Sequence, residues 1–406
     1  MSLVRFHDKV GRTETLPATA GQPLIEVLRA AGIPVNAVLS MCGGKPLSED
    51  VTAVGPDPID VYQVRHYDLD VTRHPACKVY GTPEPVYTKR VLFDRRGDLE
   101  TRCEQLDRDG FVSYVEETFV QSLLAKDVLN EGDDIVVGLS GGRDSVSFLK
   151  LLERTRDRLP TFSMTAVTIV GLPDWEEPET YAAARKSCVD LGIAQEIIEA
   201  AEIEDVFRLR RPFLEVMNTV VAGDMRHMNM VIAHQVLRRL LERAAQRRGA
   251  DAVAFCLNAD DLVTSLVTWF TTGFRMGAIP VRDLPSARFV YPLYRITKKE
   301  LTLYLEIVAP DLNRQGSPGR FTSGPGDRSL AYSITDHLYD LWPGIDYYLF
   351  AAYEQIQQNM MPMMERTCRV CEGLYVLQEG VPNPEDMCDV CDFFARQELS
   401  GGGASM

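Results

Sequence analysis

Ile135-Val136-Val137-Gly138-Leu139-Ser140-Gly141-Gly142-Arg143-Asp144-Ser145 is the stretch on which the reading of this chain turns. The apolar run at 134–139 predicts a buried strand, and a helix is expected to begin directly after the Ser-Gly-Gly turn. Glycines at such a turn let backbone N–H groups face an anion. The helix N-terminus adds partial positive charge. Ser140 and Ser145 add hydroxyl donors, and Asp144 stands where a magnesium ion bridging phosphates could be held. The Gly-Lys-Ser/Thr ending of a Walker A loop is absent.

Working outward, strand-like runs at 163–170 and 252–257 alternate with helical patterns at 111–130, 179–191, 234–248, 260–270 and 298–308. That alternation predicts an α/β fold: a doubly wound parallel sheet with helices on both faces. Residues 71–110, with Pro75, Gly81, Pro83 and Pro85, read as irregular; 311–329 read as a long loop, and 332–360 as helical. In the N-terminal part, strand-like 3–7, helical 22–31, strand-like 37–41, a Cys42-Gly-Gly-Lys turn and strand-like 59–64 resemble a β-grasp, ubiquitin-like domain. A ferredoxin of that fold needs four clustered cysteines, and Cys42 stands alone there. The expected organisation is a β-grasp domain at 1–70, a degenerate ribbon-like linker at 71–110, a nucleotide domain at 111–345, and a helix with a zinc ribbon at 346–398.

Ser140–Ser145 (SGGRDS) resembles the SGGxDS motif of the PP-loop ATP pyrophosphatases, a HUP-like fold. Enzymes of that family cleave ATP between the α- and β-phosphates and adenylate a substrate. The resemblance extends over 130–308. Ala166-Val167-Thr168-Ile169-Val170 matches the strand that packs on the adenine, and Cys188-Val189-Asp190-Leu191-Gly192-Ile193 matches a C-x-x-L-G-I segment whose cysteine lies in the core. Gly249-Ala250-Asp251 through Asn258-Ala259-Asp260-Asp261 resembles G-A-D-x-[IV]-A-x-G-H-N-x-D-D with Cys256-Leu257 in place of its Gly-His, and Pro292-Leu293 through Lys299-Glu300-Leu301 resembles P-L-x-x-x-x-[KE]-x-E-[IL]. The resemblance implies that Ser140, Gly141, Gly142, Asp144, Ser145, Val167, Thr168 and Asn258 line the nucleotide. It implies Asp144 and Asp261 at magnesium, with Asp260 supporting nucleotide or substrate.

The flanking cysteines resemble the branch that places sulfur on tRNA uridine or cytidine. Cys368-x-x-Cys371 and Cys388-x-x-Cys391, sixteen residues apart, predict a zinc ribbon with four thiolate ligands and no open position. Upstream, Cys77-Lys-Val-Tyr80-Gly81 keeps the form of a second ribbon with Tyr80 in place of a cysteine, and Cys103 has no nearby partner in sequence. His74 is a weak further ligand. The branch's middle C-x-x-C-G-x-x-K-R aligns with 222–230, where both cysteines are absent and Asn229-Met230 replace Lys-Arg; 311–329 also holds no cysteine. No iron–sulfur cluster is therefore expected. Cys256 lies beside the expected ATP site and reads either as a nucleophile or carrier or as a small buried strand residue.

Length and charge bound the partners. At about 150 residues per domain, 406 residues predict two or three domains. No apolar run is long enough for a membrane helix, and the start lacks a signal-peptide pattern, so a cytoplasmic protein is expected. The net charge is −15; 346–406 hold 3 basic and 10 acidic residues, and 1–70 hold 6 and 9. A phosphate backbone is repelled by such flanks. Basic clusters at Arg208-x-Arg210-Arg211 and along 226–248 oppose this. The expected activity is ATP-dependent adenylation of a carbonyl oxygen for sulfur transfer. The substrate stays open between tRNA and a small molecule or protein-bound metabolite. A sulfur-carrier protein and a homodimer are further expected partners. The alternative is a non-catalytic ATP-binding scaffold with a ubiquitin-like module.

Overall fold

The computed structural model describes residues 3–8, 11–33, 38–49, 52–63, 78–81, 86–95, 98–125, 127–171, 178–222, 228–272, 277–283, 287–312, 328–342, 344–360, 363–378, 383, 385–397 and 399. Two compact units emerge: Met1–Cys77 with Gly97–Thr101, and Lys78–Arg96 with Arg102–Met406.

The first unit contains β1 (Val4–His7), β2 (Thr13–Leu16), α1 (Leu24–Ala30), β3 (Val38–Cys42), β4 (Lys45–Leu47) and β5 (Ile59–Gln63). Its sheet runs β2-β1-β5-β3-β4, with β1 parallel to β5 and the other pairs antiparallel. Alternation buries Val4 and Phe6 of β1 and Ile59 and Val61 of β5 on one face. Leu24, Val27 and Leu28, at helical spacing on α1, cover them. Gly43 and Gly44 take φ of +55° and +78° at the β3–β4 turn, the conformation a two-residue hairpin requires.

β6 (Lys78–Gly81), β7 (Tyr87–Arg95) and β8 (Asp98–Leu106), the last with its first residues to Thr101 counted in the first unit, form a sheet in the order β6-β8-β7. The sequence reading of 71–110 as irregular is corrected here. Among its described residues, 78–81, 87–95 and 98–106 are strands, and Gly81 ends the first of them. The charged residues of β7 hid its period from pattern reading.

α2 (Arg108–Leu124) starts at Asp107, whose side chain accepts from Gly110 N at 2.8 Å. Then follow β9 (Asp134–Gly138), α3 (Arg143–Thr155), β10 (Ser163–Ile169), α4 (Pro178–Leu191), β11 (Ala194–Ile198), α5 (Ala200–Val206), α6 (Phe213–Ala222), α7 (Met228–Arg248), β12 (Ala252–Phe255), α8 (Ala259–Thr272), β13 (Val281–Asp283), β14 (Arg288–Val290) and α9 (Lys298–Val308). The sheet order is β11-β10-β9-β12-β14-β13, parallel except for the edge strand β13. Val136, Val167 and Val253 face a core built with α5, α6 and α7. Ile135, Val137 and Ala254 face one built with α2, α3, α4 and α9. Strand order reverses at β9, with β10 on one side and β12 on the other. Such a switch point opens a crevice beyond the strands' carboxyl ends.

The predicted helix at 332–360 is two helices, α10 (Arg328–Leu341) and α11 (Ile345–Met360). Gly344, at φ +81°, makes the break that apolar spacing alone does not reveal. β15 (Met363–Thr367), β16 (Leu374–Gln378) and α12 (Asp389–Arg396) complete the chain. The expected loop lies largely outside the described residues, as do 223–227 of the middle segment, Cys77 and His74. Among the described residues, no helix is long and apolar enough to cross a membrane.

Gly171, directly after β10, sits at φ +88°, and a Cβ there would stand 2.7 Å from Ala200 Cβ. Backbone strain and overlap act together, so Gly171→Ala should destabilise by about 1–3 kcal/mol. A urea midpoint unchanged from the parent would contradict this.

Candidate functional site

The Ser140–Ser145 turn lies at the carboxyl end of β9, beside the switch point. Gly141 takes φ +80°, which turns the chain without a Cβ penalty. Leu139 N donates to Val167 O at 2.8 Å, and Thr168 Oγ1 donates to Leu139 O at 2.8 Å. Gln195 Nε2 in turn donates to Thr168 Oγ1 at 2.8 Å. Val167 and Thr168 are thus buried supports of the turn, and the Thr168 hydroxyl is spent on its backbone. Ser140 Oγ and Ser145 Oγ lie 3.3 Å apart. Gly142 N donates to Ser140 Oγ at 3.2 Å, and Gly141 N to Ser145 Oγ at 3.1 Å. Ser145 Oγ donates in turn to Gly142 O at 2.9 Å, so the two amides and the Ser145 hydroxyl bond within the turn itself, and an anion there would take over these donors.

Asp144, in the first turn of α3, meets residues from α8 and α9. Asn258 Nδ2 donates to Asp144 Oδ2 at 3.2 Å. Lys298 Nζ donates to both Asp144 oxygens, at 2.7 and 2.6 Å. Asn258, fully buried, also holds Asp261: Asp261 N donates to Asn258 Oδ1 at 2.9 Å. Tyr332 OH of α10 donates to Asp261 Oδ1, and the Lys298 backbone N–H donates to Asp260 Oδ2. The structure thus joins Asp144 to Asn258 and Asn258 to Asp261, and ties Asp260 to the start of α9. Burial pushes the Asp144 carboxyl up against the downward pull of the Lys298 ammonium. Burial likewise pushes Asp260 up to about 6, opposed by the Lys298 N–H.

Two members of this cluster were not singled out from sequence. Lys298 was visible as the Lys of the [KE] position beside the quoted Lys299-Glu300. Tyr332 carried no signal, because only the packing of α10 brings it to Asp261. Cys256 adjoins the cluster, but burial and the Asp144 carboxylate push its thiol up, which disfavours the thiolate a nucleophile needs.

Cys368, Cys371, Cys388 and Cys391 are buried, and their sulfurs lie within 4.8 Å of one another. Cys371 Sγ and Cys388 Sγ are 3.9 Å apart, and Cys388 N donates to Cys368 Sγ at 3.3 Å. Arg239 Nε donates to Cys371 O, and Arg238 to Leu374 O, both at 2.6 Å, so α7 holds this cysteine module. Four convergent thiolates are the donor set of zinc and of iron–sulfur centres alike. Cys103, read as lacking a partner, is disulfide-bonded.

No protein-family model matches the chain. It is 26% identical over 197 residues to a tRNA-cytidine(32) 2-sulfurtransferase of Aeromonas salmonicida, covering 47% of this chain and 59% of that protein. It is 28% identical over 240 residues to the tRNA 2-thiolation protein NcsA of Haloferax volcanii, covering 55% of this chain and 70% of that one. In sequence the chain is thus similar to enzymes named for tRNA 2-thiolation. Among solved structures it resembles the U34-tRNA thiolase NcsA of Methanococcus maripaludis, with a TM-score of 0.54 at 21% identity, covering 71% of this chain and 90% of that one. At that identity the likeness is one of fold. The chain spans 59% of the length of the Aeromonas relative.

The expectation of no iron–sulfur cluster is corrected. It rested on cysteines missing from 222–230 and 311–329. The fold nevertheless gathers four other cysteines into one site, and the Methanococcus protein carries a [4Fe-4S] cluster. The four cysteines had been read as a zinc ribbon, and the same thiolate set serves an iron–sulfur centre equally.

Asp346 is also pushed up to about 6 by burial. A carboxyl whose folded value is raised binds its proton more tightly in the folded state. Its stabilising contribution is complete below the ordinary carboxylate range and is lost as pH rises through about 6. In metal-free buffer, urea stability should therefore fall over that interval, and Asp260→Asn should flatten part of the slope. An unaltered slope in the variant would refute the assignment.

Proposed function

We propose that this chain is an ATP-dependent adenylating enzyme serving sulfur transfer, with tRNA as its substrate. The observation that carries the reading is the Ser140–Ser145 turn at the carboxyl end of β9, whose Asp144 is joined to Asn258 and through it to Asp261. In this reading Gly141, Gly142 and the two serines cradle the phosphates. Asp144 and Asp261 fit a magnesium ion: buried Asn258 donates its side-chain amide to the Asp144 carboxylate and its backbone N–H to the Asp261 carboxylate, and the ion would neutralise phosphate charge. Asp260 fixes the start of α9 through the Lys298 N–H. A substrate carbonyl oxygen attacks the α-phosphorus and pyrophosphate leaves. A sulfur nucleophile then adds to the activated carbon and AMP leaves. The protein's share is positioning and charge stabilisation. The sulfurtransferase names of its relatives support the reaction class.

We read the β2-β1-β5-β3-β4 sheet with α1 as a β-grasp module, and 1–70, 71–110, 111–345 and 346–398 as the domains. Such a module suits docking of a sulfur carrier. The four-cysteine site is assigned a metal centre of the zinc or iron–sulfur type. One observation favours a second substrate reading: with 10 acidic and 3 basic residues, 346–406 repel a nucleic acid, which suits a small molecule.

With α-labelled ATP, a sulfide source and unmodified bulk tRNA, the full chain should release AMP and pyrophosphate and yield thiolated tRNA. Asp144→Asn and Ser140→Ala should each lower AMP release by about tenfold or more. AMP release with small carbonyl substrates but never with tRNA would favour the second reading, and no ATP binding at all would sink both. Separately, protein purified without oxygen should carry metal at the four cysteines. Elemental analysis with visible absorption reads which one, and Cys371→Ser should lose it together with stability.

A further inference from the structure

The Lys298–Asp144 pair occupies the carboxylate that the nucleotide reading assigns to a divalent cation. Both oxygens of Asp144 are engaged, so the ammonium and a metal ion compete for one group. The two ends of Lys298 are held very differently. Its backbone is fixed: the N–H goes to Asp260, and Thr297 and Glu300 form a capping box around the start of α9. The side chain is 44% exposed, while that of Asp144 is 19% exposed. A lysine on a fixed backbone with a half-exposed, four-carbon stem can re-aim its charge over several ångströms. Asp144 belongs to the turn that carries the Gly141 and Gly142 amides, so the ammonium already stands beside the proposed phosphate cradle. The surrounding carboxylates, Asp144, Asp260 and Asp261, leave the cluster with excess negative charge, which disfavours a phosphate until cations balance it.

Resting on the nucleotide reading, we propose that Lys298 is an exchangeable counter-ion: it holds Asp144 before nucleotide binds, and moves to the phosphates when a divalent cation takes the carboxylate. This gives one lysine two successive partners and makes it a substrate-binding residue. It also orders binding, because a metal ion alone must displace the ammonium, whereas metal with nucleotide offers the ammonium a new anion.

The test uses Mn2+ as the probe ion, with and without α,β-methylene ATP, on the full chain, read by electron paramagnetic resonance of free Mn2+. For Lys298→Met, Mn2+ alone should bind roughly three- to tenfold more tightly, because its competitor is gone. Mn2+ with the nucleotide analogue should bind roughly tenfold more weakly, because a charged contact to phosphate is lost. Lys298→Arg should keep the parent's order, and Lys298→Gln serves where Met impairs folding, with melting curves as the control. A permanent structural pair predicts tighter Mn2+ binding in both conditions, and that result would overturn the proposal. So would unchanged binding in both. If the parent protein binds Mn2+ but never the nucleotide, the nucleotide reading itself fails, and this inference with it.

Discussion

Three helix N-termini meet at one crevice, and their shared positive ends are the constraint around which the rest is arranged. α3, α8 and α9 each begin there, and each carries acid in its first turn: Asp144, Asp260 with Asp261, and Glu300. Carboxylates at such positions are favoured by the backbone dipoles. They also crowd one another, which raises the cost of ionising Asp144 and Asp260. Asn258 and Lys298 relieve that crowding by cross-linking the three helices. The same arrangement that stabilises the crevice makes it a place where anions and cations exchange.

The crevice is supported from beneath by Glu300. Its Oε1 accepts from Tyr87 OH and Tyr114 OH, both at 2.9 Å, and its Oε2 accepts from Thr297 N at 2.7 Å. Glu300 is buried, and a buried carboxylate persists when its lone pairs are filled in this way. The β7 strand and α2 are thereby tied to the start of α9, hence to Lys298. A segment whose sequence reads as irregular thus supplies a support for the start of α9.

Parts of the site were legible and parts were not, for identifiable reasons. The turn at 140–145 could be read because glycine conformational freedom and a following helix are local properties. Asn258 and Asp261 could be read because their spacing resembles a motif. The pairing of Asp144 with Lys298, 154 positions away, depends on α3 and α9 packing on the same sheet face. Tyr332 depends on where α10 lies. The four-cysteine module was legible from its spacing, whereas the exclusion of a cluster was an argument from two segments and failed against the whole chain.

By itself the sequence determined the alternation of strand and helix, the phosphate-type turn and the cysteine pairs. Each of these is encoded by neighbours within a few turns, where apolar period, glycine and short spacing act directly. Tertiary structure alone decided which charges face each other. It placed Lys298 on Asp144, gave Thr168 to the turn's backbone, and buried Cys256 beside a carboxylate, so that burial first and the charge second disfavour its thiolate. Electrostatic energies depend on distance and burial, and both are set only when separate segments pack together.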